Sequence, residues 1–113
     1  MTDPSEEPRK RLASLSGGAR RLLDHVAALD GSAGYAVLRH LARVSEEDII
    51  EDLREVVEAG ALAALPGRPN VYDFPDEALR AFVVAEAGVE RLSRLRARAQ
   101  AARCRVEGDT PAR

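Results

Sequence analysis

The chain has 113 residues, enough for one domain with a modest core, and its 4% aromatic content means that core has to be built from Leu, Val, Ile and Ala. A formal net charge of −2 excludes a globally basic nucleic-acid binder. No apolar run is long enough to span a membrane, and a single cysteine, Cys104, excludes an internal disulfide framework.

Lys10 is the only lysine among 17 basic residues, and this arginine bias, with the abundant alanine, reads as high-GC bacterial coding. The absence of a signal-peptide pattern predicts a cytoplasmic chain. Cys104 lies between Arg103 and Arg105, where positive charge favours thiolate, but so near the end of the chain it reads first as an incidental thiol.

Residues 1–14 are polar and carry Pro4 and Pro8, with Asp3, Glu6 and Glu7 ahead of Arg9-Lys10-Arg11, a composition that predicts a disordered tail. Ser16 suits the N-cap of a first helix running to about Leu29. Its apolar stripe is Ala19, Leu22, Leu23, Val26 and Leu29, and Asp30-Gly31 stops it. His25 lies beside that stripe. The other histidine, His40, falls on a different helix, so the two read as ordinary, partly buried side chains rather than metal ligands. Gly31-Ser32-Ala33-Gly34 reads as a flexible loop. A second helix then turns Tyr35, Leu38, Leu41 and Ala42 inward and ends at Arg43-Val44.

Ser45 is placed to cap a third helix, and Asp48, three residues on, can complete a capping box. Behind it Ile49, Leu53, Val56, Val57 and Gly60 recur on one helical face, which predicts burial of Ile49, Leu53 and Val57 against the first two helices. Gly60 suits the left-handed residue that ends a helix. Two short apolar runs, 61–65 and 71–74, flank the turn residues Pro66-Gly67-Arg68-Pro69-Asn70 and predict a β-hairpin. The fold class expected is therefore mainly α: a winged helix, with a helix-turn-helix, a two-stranded wing and a C-terminal helical extension.

After Pro75, Asp76 and Glu77 suit the acidic first turn of a fourth helix carrying Leu79, Phe82 and Val83. Gly88 predicts a break before a fifth helix with Leu92, Leu95, Ala99 and Ala102 on its apolar side. The expected organisation is a polar tail over 1–14, a winged-helix domain over 15–87, an arginine-rich helix over 88–106 and a second disordered tail over 107–113.

From Leu15 to about Arg103 the chain resembles the winged-helix domain that follows the nucleotide-binding module in STAND-class ATPase regulators, especially those similar to LuxR and MalT. The resemblance rests on Leu15-Ser16-x-x-Ala19-Arg20-Arg21-Leu22-Leu23, Val44-Ser45-Glu46-Glu47-Asp48-Ile49, Leu53-x-x-Val56-Val57-x-Ala59-Gly60-Ala61-Leu62, Tyr72-Asp73-Phe74 and Glu77-Ala78-Leu79-Arg80. It implies a non-catalytic domain that packs on a nucleotide-binding module and helps to hold its inactive, ADP-bound state. In that family a histidine after the second wing strand faces the nucleotide phosphates. The matching position here is Asp76, whose carboxylate would repel them. Arg43 replaces the family's turn glycine, at a strain cost if its φ is positive. The chain has no G-x-x-x-x-G-K-[ST] phosphate loop, so the resemblance brings no cofactor with it.

A DNA-reading winged helix lays its third helix between two rows of phosphates. At 100° per residue, the side of this helix opposite its apolar stripe carries Glu47, Glu51, Glu55 and Glu58 with one arginine, Arg54. Each such charge about 7 Å from a phosphate costs roughly 0.6 kcal/mol even in water, so several together cancel much of a specific binding margin. The acidic face reads either as a solvated surface or as a docking face for a basic partner. On the fifth helix Arg91, Arg94, Arg98 and Arg105 form a basic stripe open to nucleic acid, to an acidic protein or to another copy's third helix.

These residues predict a non-catalytic regulatory and protein-interaction module whose partner is a nucleotide-binding module or a second copy, with nucleic acid disfavoured through the third helix. The alternative is a small DNA-binding transcriptional regulator that uses its arginine-rich termini. No nucleophile–base pair or metal cluster is visible, so an enzyme is not expected.

Overall fold

The computed structural model describes residues 6–29 and 32–108, with side chains for 9–29, 32–68 and 70–104. Of the tails expected over 1–14 and 107–113, residues 1–5 and 109–113 lie outside the described residues, as do the stop at Asp30-Gly31 and the side chain of Arg105. Residues 107–108, expected in the second tail, belong instead to the last helix. The protein is mainly helical, with a small three-stranded antiparallel sheet. In chain order the elements are α1 (Glu6–Leu12), α2 (Gly17–Ala28), β1 (Ala33–Gly34), α3 (Tyr35–Ala42), α4 (Glu46–Glu58), β2 (Ala63–Leu65), β3 (Arg68–Asp73), α5 (Glu77–Ala87) and α6 (Val89–Gly108). The helix read as third from the sequence is α4.

The core is built around α2, which packs against α3, α4, α5 and α6. Surrounded in this way, α2 buries far more than one stripe: Ala19, Leu22, Leu23, Val26, Ala27 and Ala28 are sequestered, and so are Asp24 and His25. Its start is fixed by Ser16, whose hydroxyl accepts the Ala19 N–H at 3.2 Å. Arg43 ends α3 in the left-handed region, φ 57° and ψ 37°, where a residue with a Cβ is strained. Two residues later the Ser45 hydroxyl accepts the Asp48 N–H at 3.1 Å and starts α4. The far end of α4 closes with paired hydrogen bonds, Gly60 N–H to Val57 O and Ala61 N–H to Val56 O. Gly60 takes the φ of 77° which that closure requires.

Within α4, Ile49, Leu53 and Val56 enter the core, but Val57 does not. It is 40% exposed, and Ile50 is 46% exposed. The expectation that Val57 is buried is therefore corrected. Helices α2 and α3 both lie on the Ile49–Val56 side, and Val57 falls 100° further round, toward solvent.

Strands β2 and β3 form the expected hairpin, but the turn is tighter than read from the sequence. Leu65 pairs with Arg68, leaving Pro66-Gly67 as the bend, with Gly67 at φ 73°. An irregularity follows in β3, where Asn70 sits at φ 67°. The sheet also has a third member. Ala33 pairs with Tyr72 and Gly34 with Val71, so the order is β1-β3-β2 and the segment read as a flexible loop contributes a strand. A two-residue strand has no periodicity of its own; its partner defines it.

Gly88, at φ 87°, breaks α5 from α6. Leu92, Leu95, Ala99 and Ala102 bury one side of α6, chiefly against α2 and α3. The tail reading of residues 1–14 is corrected over 6–12, which form α1. Pro8 lies in its first turn, where a missing N–H costs nothing. Leu12 is buried in the core, Arg9 lies over the Phe82 ring at 6.0 Å, and Arg11 reaches Gly60 O and the Asp76 carboxylate, both at 3.4 Å.

Candidate functional site

The acidic row of α4 divides into two parts with different surroundings. Glu47, Glu51 and Glu58 are exposed. Glu55 instead turns toward the start of α2, accepting from Ser16 N–H at 2.6 Å and from the Ser16 hydroxyl at 2.9 Å. Half-buried Asp52 joins it: a Cβ on Gly18 would lie 2.9 Å from Asp52 Oδ2. Burial, then the neighbouring charges of Glu55 and Asp48, raise the Asp52 pKa. The first turn of α2 has no acid of its own, so α4 supplies two carboxylates to that positive helix end. Without a Cβ, Gly18 lets the Asp52 carboxylate approach this closely; a larger residue would push that side chain aside. The trace of this approach in the sequence is the Gly17-Gly18 pair inside a helix start.

The basic stripe divides likewise. Arg91 Nε donates to Asp24 Oδ2 at 3.1 Å, and Arg98 donates to Leu41 O at 2.8 Å, satisfying a carbonyl in the last turn of α3. These two arginines fasten α6 to α2 and α3. Arg94 is exposed, and Arg105 is the member whose side chain is not described. Burial raises the Asp24 pKa against the pull of Arg91. Beside it, burial and then the charges of Arg98, Arg91 and Arg21 lower the His25 pKa from 6.5 to about 4. Among the described residues Asp24 Oδ1, His25 Nδ1 and Tyr35 OH are buried without a hydrogen-bond partner.

Asp76 is the N-cap of α5. Its carboxylate accepts the Leu79 N–H at 2.7 Å and pairs with Arg11 at 3.4 Å. Nearby, Arg80 bonds Asp73 and lies 4.9 Å from the Phe74 ring centre, tying α5 to the end of β3.

The sequence did not point to the feature beside the acidic row. Between α4 and the sheet runs a groove of about 590 Å³, lined by Tyr35, Ile50, Leu53, Val57, Ala64 and Tyr72 and also by the polar Glu46, Arg54 and Asn70. Tyr72 stands in the ladder between Ala33 and Ala64, and these small neighbours leave the depression.

Among the described residues no three His, Cys, Asp or Glu side chains converge to hold a metal, and no helix is long and apolar enough to cross a membrane. His25 is buried on α2, His40 is exposed on α3, and Cys104 is exposed. No protein-family model, curated protein or solved structure matches the chain.

Proposed function

We propose that the chain is a winged-helix domain acting as a non-catalytic regulatory module, of the kind that follows the nucleotide-binding module in STAND-class regulators, and that it binds protein through the outer face of α4. The fold half of this reading is supported by the element order α2-β1-α3-α4-β2-β3 and by the strand order β1-β3-β2, in which the short strand between the first two helices of the motif joins the hairpin. The single observation that carries the functional half is the exposure of Glu47, Glu51 and Glu58, with Arg54 the one cation among them, on the face a DNA reader would lay in the major groove. Phosphates would be repelled there and a cationic protein surface attracted. The DNA-binding alternative loses Arg91 and Arg98, which are committed to α2 and α3.

The test uses the full chain and its Glu47→Lys, Glu51→Lys double variant, which leaves the structural Glu55 in place. Fluorescence anisotropy with labelled duplex DNA should show weak binding without sequence preference, and the reversal should tighten it by removing repulsion. An arginine-rich helical peptide should behave oppositely, binding the unmodified chain in a salt-dependent manner and losing affinity on reversal. Tight, sequence-specific DNA binding that depends on α4 would end the proposal.

A further inference from the structure

Resting on the protein-binding reading, we infer that the groove between α4 and the sheet seats a basic amphipathic helix of a partner protein. Its apolar side chains would lie on Tyr35, Ile50, Val57 and Tyr72, and its arginines or lysines over Glu47, Glu51 and Glu58. Ile50 and Val57 are 46% and 40% exposed and line a largely apolar groove of about 590 Å³. These two residues stand seven apart, two helical turns and roughly 10 Å along the axis, and so match anchors at i and i+7 on an incoming helix.

The charged half comes from angular position. At 100° per residue Val57 lies roughly 20° from Ile50 on one side, while Arg54, Glu47, Glu58 and Glu51 follow at roughly 40°, 60°, 80° and 100° on the other. The carboxylates thus border the apolar strip rather than oppose it. A ligand seated in the groove has one flank over three exposed acids that span about 16 Å of helix.

This arrangement selects among occupants. Duplex DNA meets the carboxylates with like charge. A second copy docked symmetrically through the same groove brings two α4 helices together and their acids with them. The partner that satisfies both features carries apolar residues on one side and cations on the adjacent side.

The probe is a fluorescein-labelled synthetic helix of about 16 residues, long enough to follow the groove, with leucines at i, i+4 and i+7 and arginines along one flank. A second peptide of the same composition has its leucines scattered around the helix, and a third has glutamate for arginine. Titrated with the full chain, the first should bind best and weaken as salt rises. Ile50→Ser with Val57→Ser should reduce its affinity by about tenfold or more, the loss expected for removing central apolar anchors. Glu47→Gln with Glu51→Gln should lower affinity and flatten the salt dependence. Both apolar positions are exposed, so circular dichroism should show the serine variant folded; if it does not, Val57→Thr, nearly isosteric, makes the same comparison.

If the serine or threonine variants bind like the unmodified chain while the glutamine variant does not, the groove inference fails and the protein-binding reading survives. Equal binding of the scattered peptide has the same meaning. Equal binding of the glutamate peptide overturns the charge assignment, and with it the inference. A concentration-dependent dimer in sedimentation that Ile50→Ser dissolves would make the groove a self-interface and overturn it too. Binding of none of the three peptides would refute both the inference and the reading beneath it.

Discussion

Mild acid should destabilise this fold through one residue, His25. It is 6% exposed at the α2–α6 contact, and its Nδ1 has no hydrogen-bond partner among the described residues. Burial first, then the charges of Arg98, Arg91 and Arg21, hold its pKa at about 4 in the folded chain against 6.5 for an ordinary histidine. Between those values the unfolded chain binds a proton that the folded chain refuses, so stability rises with pH across the window and is lost as pH falls. At about 1.4 kcal/mol per pH unit, the cost approaches 2 kcal/mol by about pH 5 and about 3 kcal/mol once both states are protonated. Asp24 and Asp52, whose folded pKa values are raised, act with the opposite sign, so the contribution of His25 is read as the difference between the unmodified chain and a His25 variant. The assay is urea unfolding at a series of pH values from about 7.5 to about 5. His25→Gln should flatten the dependence, while His40→Gln, on the exposed face of α3, should leave it intact. An unchanged slope in His25→Gln, or an NMR titration of His25 centred near 6.5, would refute the reasoning.

Two further substitutions probe the anchoring of α4 and the start of α5. Leu53→Ala should cost roughly 2–5 kcal/mol, toward the lower end because the site opens onto the groove; a loss in urea unfolding below about 1 kcal/mol would mean that α4 is not anchored there. Asp76→Ala should cost about 1 kcal/mol by uncapping α5, and Asp76→Asn much less, because the amide oxygen can still accept the Leu79 N–H. Equal losses would shift the weight to the ion pair with Arg11.

Local chemistry was legible in the sequence. The caps at Ser16 and Ser45, the left-handed Gly60, the break at Gly88 and the buried positions of α6 each depend on residues within a turn or two of one another. What escaped depends on distant partners. Helix α1 is held by Leu12 and by Arg11 reaching Gly60 and Asp76, none of which alters its tail-like composition. β1 exists because Tyr72 and Val71 pair with it. On α4 the periodicity admitted either Val56 or Val57 as the inward residue, and only the placement of α2 and α3 decides. Glu55, Arg91 and Arg98 looked like surface charge because their partners lie 39, 67 and 57 residues away.

Helix ends explain which charges remain for a partner. A row of like charges four residues apart costs a few tenths of a kcal/mol per pair, so the acidic face of α4 works against its own helix. Glu55 offsets its share by joining the positive end of α2, a placement that contributes about 0.3–1 kcal/mol. Arg98 does the reverse at the last turn of α3. Glu47, in the first turn of α4, is favoured by that helix's own positive end, but Glu51 and Glu58 lie beyond it; all three stand exposed beside Ile50 and Val57, two apolar side chains also left in water. Repulsion and apolar exposure on the same turns both disfavour the isolated fold. A cationic, partly apolar partner would relieve both at once, which is why the groove and the acids are read as one surface.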